Sequence, residues 1–310
     1  MALQSTWLVV EHGRTPASHV ARRALRKRLD AVWTELQAAA GERPDGERVH
    51  RLRVATRRTL AAVDAFADLL PAKRREWFAK RLRRLRRAAG EARDLDVLTD
   101  RLAREAADSA GATAMRPARE RLVAMLSRRR AASRAPIQQM RDALLAADWH
   151  GRTERLLDGV GRRGRERSYA EFARRQFRPL VARFFAKADR RLRSADEIHR
   201  LRIEGKKLRY ALEVFACVFP ARERARCEDA LERLQATLGD FTDHAAAADR
   251  FRRWQRSDGI GLEERTLAVL HDMETAKANT ARKAFVKWWS PARRRWLRRA
   301  LERTLRRQCA

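Results

Sequence analysis

Cysteine is scarce. Cys217, Cys227 and Cys309 are the three in 310 residues, an odd number without a CxxC pair. That excludes a disulfide framework and a cysteine zinc site, and it fits a reducing cytoplasm. Long apolar runs are missing as well. Nowhere do about 18 apolar residues follow one another, so no span of a bilayer is expected. The short run at residues 7–10 has no basic stretch before it and no small-residue cleavage pattern after it, which argues against a signal peptide. No segment alternates with period two for long enough to build a sheet. The chain has no GxxxxGK[ST] loop, no GxGxxG after a strand, no GxSxG elbow and no HExxH pair. A clustered pair of acids for general acid/base work is also lacking. Catalysis has nothing to stand on, and neither a cofactor nor an enzymatic activity is expected.

Acidic residues are in the minority, 40 against 72 basic ones, for a formal net charge of +32. Solubility alone needs far less. A chain so cationic asks for polyanions: nucleic acid, an anionic membrane surface, or a small or polymeric phosphate. The plainer alternative is an arginine-rich composition set by a high-GC genome, leaving only a solvated basic surface.

What is present is one helix written twice. Residues 49–66 read VHRLRVATRRTLAAVDAF and residues 198–215 read IHRLRIEGKKLRYALEVF, aligned without a gap at a spacing of 149. The register persists through Pro71/Pro220, Leu82/Leu231, Leu85/Leu234, Gly90/Gly239 and Asp94/Asp243. At about 3.6 residues per turn, Leu52, Thr59, Val63, Phe66 and Leu70 share one side, as do Leu201, Leu208, Leu212, Phe215 and Phe219. That side is core. The opposite side carries His50, Arg53 and Arg57 in the first copy and His199, Arg202 and Lys206 in the second, with Arg58 and Lys207 on its flank.

The remaining pattern is helical throughout. Thr15-Pro16 reads as an N-cap with proline at the first helical position, opening a helix to about residue 39. A turn with Pro44 follows, then the first signature helix over 47–70, ended by Pro71. A third helix runs from 73 to about 107, and Gly90 inside it suggests close approach of a neighbouring helix. A loop over 108–116 leads to a helix opened by Pro117, interrupted near Pro136 and finished by about Trp149. The four glycines of residues 151–168 mark a linker, placed at 151–164. The pattern then restarts. Ser194 to Glu197 is a capping-box pattern ahead of the second signature helix. A helix over 222–256, interrupted near Gly239, another from 262, and a cap at Ser290-Pro291 complete the chain. The fold class is all-α. Long helices joined by short turns favour antiparallel packing, and the repeat favours two four-helix bundles, 15–150 and 165–310, about a pseudo-two-fold axis.

Only His50 and His199 among the seven histidines occupy equivalent repeat positions. Each precedes basic side chains by three and seven residues on one face, a setting that disfavours imidazolium unless an anion is bound. A metal site using Asp94, Asp96, Asp243 or His244 beside them is the sharper alternative, but the spacing does not support it and the basic flank opposes a divalent cation. Asp94 and Asp243 read better as fixing Arg or His side chains of the signature helices. His271-Asp272 matches the dipeptide of metal-dependent phosphohydrolases without the further ligands.

The two signature stretches, together with Arg93-Asp-Leu-Asp-Val97, Leu234-Gln-Ala-Thr-Leu-Gly-Asp240 and Asp243-His244, closely resemble the CHAD family, the conserved histidine α-helical domain. The resemblance covers nearly the whole chain, from about residue 15 to 305. It implies two four-helix bundles around a central basic channel that binds inorganic polyphosphate. It carries the binding role over to His50, Arg53, Arg57, Arg58 and Arg93, and to His199, Arg202, Lys206, Lys207 and Arg209. It also implies association with polyphosphate or polyhydroxyalkanoate granules. The chain departs from the family pattern at Thr242, where asparagine is common, and at Arg48, where an acid often precedes the histidine. Two rival readings remain beside polyphosphate binding. One is a nucleic-acid-binding basic helical protein, although Trp33, Trp77 and Phe215 fall on apolar faces better suited to packing than to base stacking. The other is a metal-dependent polyphosphate or triphosphate hydrolase, which would need carboxylates facing the basic stripe.

Overall fold

The computed structural model describes residues 12–41, 46–108, 116–162, 166–190, 192, 194–256 and 264–306. The apolar run at 7–10, Pro44 and Cys309 lie outside them. Every regular element among the described residues is a helix. They are α1 (Ala17–Ala39), α2 (Gly46–Ala65), α3 (Ala72–Asp108), α4 (Arg116–Ala132), α5 (Ala135–Ala146), α6 (Trp149–Asp158), α7 (Tyr169–Ala188), α8 (Ala195–Val214), α9 (Ala221–Gln255), α10 (Glu264–Trp288) and α11 (Pro291–Arg306). No described helix is long and apolar enough to cross a membrane.

The two signature helices, α2 and α8, end alike. Each stops one residue before a phenylalanine, Phe66 or Phe215, and tightens into a three-residue 3-10 turn (Ala67–Leu69 and Ala216–Val218) before Pro71 or Pro220. The helical path expected to reach residue 70 therefore changes geometry a turn earlier. Ser194 makes the capping box: its hydroxyl accepts from the Glu197 amide at 3.2 Å, and the Glu197 carboxylate accepts from the Ser194 amide at 2.9 Å. Ser290 likewise accepts from the Arg293 amide at 3.3 Å.

Several expectations need correction. Thr15 does not cap α1. Pro16 is the cap residue and makes no side-chain cap bond, because this stretch pairs instead with the start of the second half. Tyr169 N donates to Thr15 O at 2.8 Å, Ala170 N to Gly13 O at 2.9 Å and Ala17 N to Arg167 O at 2.9 Å. The linker placed at 151–164 is helical as far as Asp158 within α6, since Trp149, Leu156, Leu157 and Val160 bury one stripe in the core. The expected interruption near Pro136 does separate α4 from α5, and the expected restart at Ser290-Pro291 separates α10 from α11, while α6 is an addition to the first half. α9 runs unbroken through Gly239. Gly90 is not a close-approach site, for a side chain there would meet nothing within 4 Å. The helix that does come close is α9 against α8, where a Cβ on Gly205 would lie 2.9 Å from Gln235 Nε2.

Both halves contribute to one core. Phe66 stacks on Phe172 with centroids 5.9 Å apart and meets its repeat equivalent Phe215 edge-on at 6.0 Å. Tyr169 lies against the same ring and donates its hydroxyl to Val214 O at 2.6 Å. A second, smaller cluster (Leu95, Leu98, Leu126, Ala247, Phe251, Leu270) joins the far portions of α3, α4, α9 and α10. Between these clusters α2 and α8 pack directly against each other.

Candidate anion-binding site

The contact between α2 and α8 decides where the basic stripes go. Their core sides are occupied by Leu52, Val63, Leu201, Leu208 and Leu212, all fully buried, so the polar sides are left facing one cavity of about 420 Å³. Its wall is made by His50, Arg53 and Arg57 of α2, Arg93 and Asp94 of α3, His199 and Arg202 of α8, and Thr242, Asp243 and Arg250 of α9. Val97, Leu98, Ala246 and Ala247 close the apolar side. Six residues assigned from the sequence thus meet at one site, from both repeat copies: His50, Arg53, Arg57, Arg93, His199 and Arg202.

The geometry below them repeats too. Arg53 donates to Asp94 at 2.8 Å and to the Gly90 carbonyl at 3.5 Å. Arg202, its equivalent, lies beside Gly239, and Asp243 is the leading opposite charge acting on it. Asp94 fixes an arginine, as its position implied. Burial pushes the Arg57 and Arg202 guanidiniums below the usual arginine range, and the neighbouring cations push the same way. The Nε atoms of Arg57, Arg202 and Arg209 are buried with no hydrogen-bond partner among the described residues. A buried donor without an acceptor is costly, on the order of 1–3 kcal/mol. An anion in the cavity would bring acceptors to Arg57 and Arg202, which line it.

Four other assigned residues stand apart from the cavity wall. Lys206 is half-buried behind it, within the field of Arg202, Arg57 and Arg53. Arg209 lies over the Tyr210 ring at 4.8 Å and acts on Arg57 electrostatically. Lys207 is exposed and pairs with Glu204 at 2.7 Å. Arg58 is the clearest departure: it is buried, with Nε 3.1 Å from Glu213, and Glu213 also takes Nη1 of the buried Arg28 at 3.5 Å. The flank position of Arg58 turns into the contact between α1, α2 and α8. Its charge belongs to a buried ion cluster outside the cavity lining.

Arg250 was missed. No motif marks it, but the repeat register carried past Asp94/Asp243 sets it opposite Arg101 in the sequence. Asp96, weighed as a metal ligand, is buried and paired with Arg130. His244 bonds to the buried Glu274 at 2.8 Å, and His271 Nδ1 lies 2.9 Å from Ala248 O. No three His, Cys, Asp or Glu side chains gather at one point among the described residues.

The family model described as CHAD domain matches residues 8–252. The chain belongs to the CHAD family. Among solved structures, the crystal structure of the CHAD domain from the plant Ricinus communis superposes with a TM-score of 0.71 at 21% identity, covering 96% of this chain and 95% of that one. PptA from Streptomyces chartreusis superposes with a TM-score of 0.60 at 18% identity, over 89% of this chain and 99% of that one. At these identities both show the fold of the CHAD domain. No curated protein matches the chain.

One property of this CHAD domain's cavity has a direct pH consequence. Desolvation, reinforced by Arg202, Arg57 and Arg53 and opposed by Asp243, brings Lys206 down to about 7. Burial, with Arg93, Arg57 and Arg53, also lowers His50, against Glu47. Both groups therefore lose their charge readily in the free protein, and an anion favours the charged form. Anion affinity should fall as pH rises from 6 to 8. The loss should approach about tenfold from Lys206 alone, since its charged fraction drops by that factor across a pKa near 7. Binding titrations over this range check it, and Lys206→Met should flatten most of the profile while lowering affinity at pH 6.

Proposed function

We propose that this CHAD domain binds inorganic polyphosphate in the cavity between α2 and α8, as a binding module without turnover. One observation carries the reading: side chains from both repeat copies line a single cavity in which five guanidiniums face two carboxylates. A polyphosphate chain brings charge and acceptor oxygens at every unit, which suits charge-assisted bonds to guanidinium. It has no ring to stack, and the cavity lining includes no Phe, Tyr or Trp. Phe215 is buried, and Trp33 and Trp77 pack against the core; none of the three offers a face to a nucleobase in the cavity. Asp94 is held by Arg53 and Asp243 lies beside Arg202 and Lys206, so both act as counter-charges that position cations.

The halves meet through exchanged contacts. Arg58 of α2 pairs with Glu213 of α8, and their equivalents, Lys207 of α8 and Asp64 of α2, interact in the reverse sense. Reciprocal contacts of this kind accompany two-fold relations. They support an approximate internal two-fold with the cavity on it. A cytoplasmic location, at polyphosphate or polyhydroxyalkanoate granules, is the cellular extension of the same reading.

Competition tests it. Long-chain polyphosphate should displace labelled polyphosphate at physiological salt at least tenfold more effectively, per unit charge, than double- or single-stranded nucleic acid. The same protein given polyphosphate and Mg²⁺ or Mn²⁺ should release no phosphate above a buffer control. Preference for nucleic acid at this cavity, or metal-dependent release abolished by Asp243→Asn, would replace the reading with one of its rivals.

A further inference from the structure

Most of the large aromatic side chains are packed inside the protein, but one surface breaks the pattern. Trp296 on α11 is 39% exposed, the only tryptophan among the exposed large hydrophobic side chains of the described residues. With the half-buried Trp288 at the end of α10 it lines a cavity of about 320 Å³ against α9. Arg226, Arg233 and Arg293 form the rest of the rim with one acid, Asp229. The Arg293 guanidinium lies 4.4 Å from the centre of the Trp288 ring and donates to the Trp288 carbonyl at 2.6 Å, so it is already fixed in place. Arg226 and Arg233 are exposed, and neither side chain has an ion pair or hydrogen bond among the described residues. Seven residues apart on one helix, they stand on the same face, separated by about 10 Å along its axis.

Such a groove has two chemical requirements at once. Its unpaired guanidiniums ask for anions at two points; Trp288 is already stacked on Trp289 at 5.7 Å and capped by Arg293, so the exposed Trp296 indole is the one that asks for a flat apolar partner. Inorganic polyphosphate meets only the first. An acidic peptide meets the first and leaves the ring faces unmatched. A nucleobase has a π-face for the Trp296 indole and a phosphate on either side for the arginines, a combination used in sequence-tolerant binding of single strands. We propose that the Trp288–Trp296 groove binds single-stranded nucleic acid, with one base against Trp296 and the flanking phosphates on Arg226 and Arg233.

The groove shares no lining residue with the cavity between α2 and α8. Four of its seven lining residues precede residue 252, where the family match ends, and the other three, among them both tryptophans, follow it. It is therefore independent of the polyphosphate reading, and each stands or falls by itself.

The test uses the full chain, a fluorescein-labelled mixed-sequence single-stranded DNA read by anisotropy, and labelled polyphosphate in parallel. Trp296→Leu should weaken oligonucleotide binding about tenfold or more through lost stacking. Arg233→Ala should weaken it several-fold and lower the salt slope by about one contact. Both should bind polyphosphate as the parent does, whereas Arg57→Ala should weaken polyphosphate more than oligonucleotide. Circular dichroism monitors folding. If Trp296→Leu unfolds, Arg233→Ala decides, because its exposed side chain leaves no void. Parental oligonucleotide affinity in a folded Trp296→Leu or Arg233→Ala protein overturns the proposal. So does an equal loss of polyphosphate binding in these variants, or displacement of the oligonucleotide by an acidic peptide as effectively as by unlabelled single strand.

Discussion

Replacing Arg57 and Lys206 together by alanine is expected to remove most polyphosphate binding at pH 6 while leaving the helices intact. The Arg57 change deletes one charge-assisted contact at the wall and the Lys206 change one cation directly behind it, each expected to cost about 1.5–3 kcal/mol, or on the order of 10- to 150-fold in affinity. The pair should reach about 10²- to 10³-fold, since the two side chains come from different repeat copies and act on one polymer. The salt dependence should move as well. Taking the single-strand nucleic-acid value as the nearest analogue, the slope of log K against log salt should shrink by about 0.7 per lost contact. Measurement at pH 6 matters, because Lys206 with a pKa of about 7 is charged there. Neither residue belongs to the buried apolar set, so folding should survive. A folded double variant with parental affinity and slope would make the stripe a solvated face and move the site elsewhere.

Loss of the Glu213 carboxylate should have the largest effect on stability. Arg28 is 2% exposed and Arg58 8%, and both guanidiniums converge on this one side chain. In Glu213→Ala two cations would lose their shared counter-charge in the interior. Breaking a buried pair in this way costs about 3–5 kcal/mol, and the melting temperature should fall by about 5–8 °C. Asp64→Asn is the matching control. Burial raises the Asp64 carboxyl above the usual range against the pull of Arg83, Arg75 and Lys207, so neutralising it should change stability little. Chemical denaturation of the three proteins checks both expectations. A loss below about 1 kcal/mol for Glu213→Ala would mean that water or other groups take over the charge. The same cluster predicts what Arg58→Ala does: it should lower stability and leave the salt slope of polyphosphate binding unchanged.

These outcomes bear on what the sequence could reveal. The fold class and both signature helices were legible because their apolar residues recur at helical spacing and the pattern occurs twice. The same periodicity assigned Leu52, Val63, Leu201, Leu208, Leu212, Phe66 and Phe215 to the core. It also placed His50, Arg53, Arg57, His199 and Arg202 on the opposite side, where they do line one cavity. Periodicity says which side of a helix is buried but not which partner covers its flank. Arg58 was therefore read as a ligand position, when the flank of α2 packs on α8 and meets Glu213. Arg28 escaped notice for the same reason. Its helix shows a regular apolar stripe, and nothing local says that a guanidinium beside that stripe is sealed in by an acid 185 residues away. The misplaced linker has a different cause. Trp149, Leu156, Leu157 and Val160 have helical spacing, but four glycines over 151–168 interrupt the polar side and drew the boundary through the helix. Tertiary burial of that one stripe outweighs the glycine content.

Finally, Phe66, Phe172 and Phe215 form a weld. The ring at the end of α2 is clasped by one from α7 and one from α8, and the strand-like pairing of residues 13–17 with 167–170 ties the same region. Pulling the halves apart at this end would expose these rings to water, at a cost comparable with unfolding part of the core. The halves are therefore fastened to each other at the C-terminal ends of α2 and α8, away from His50 and His199. On the proposed reading the hold on a polyanion is set by ions: protons on Lys206 and His50 and salt in the medium act as the valves that a moving domain provides in other proteins.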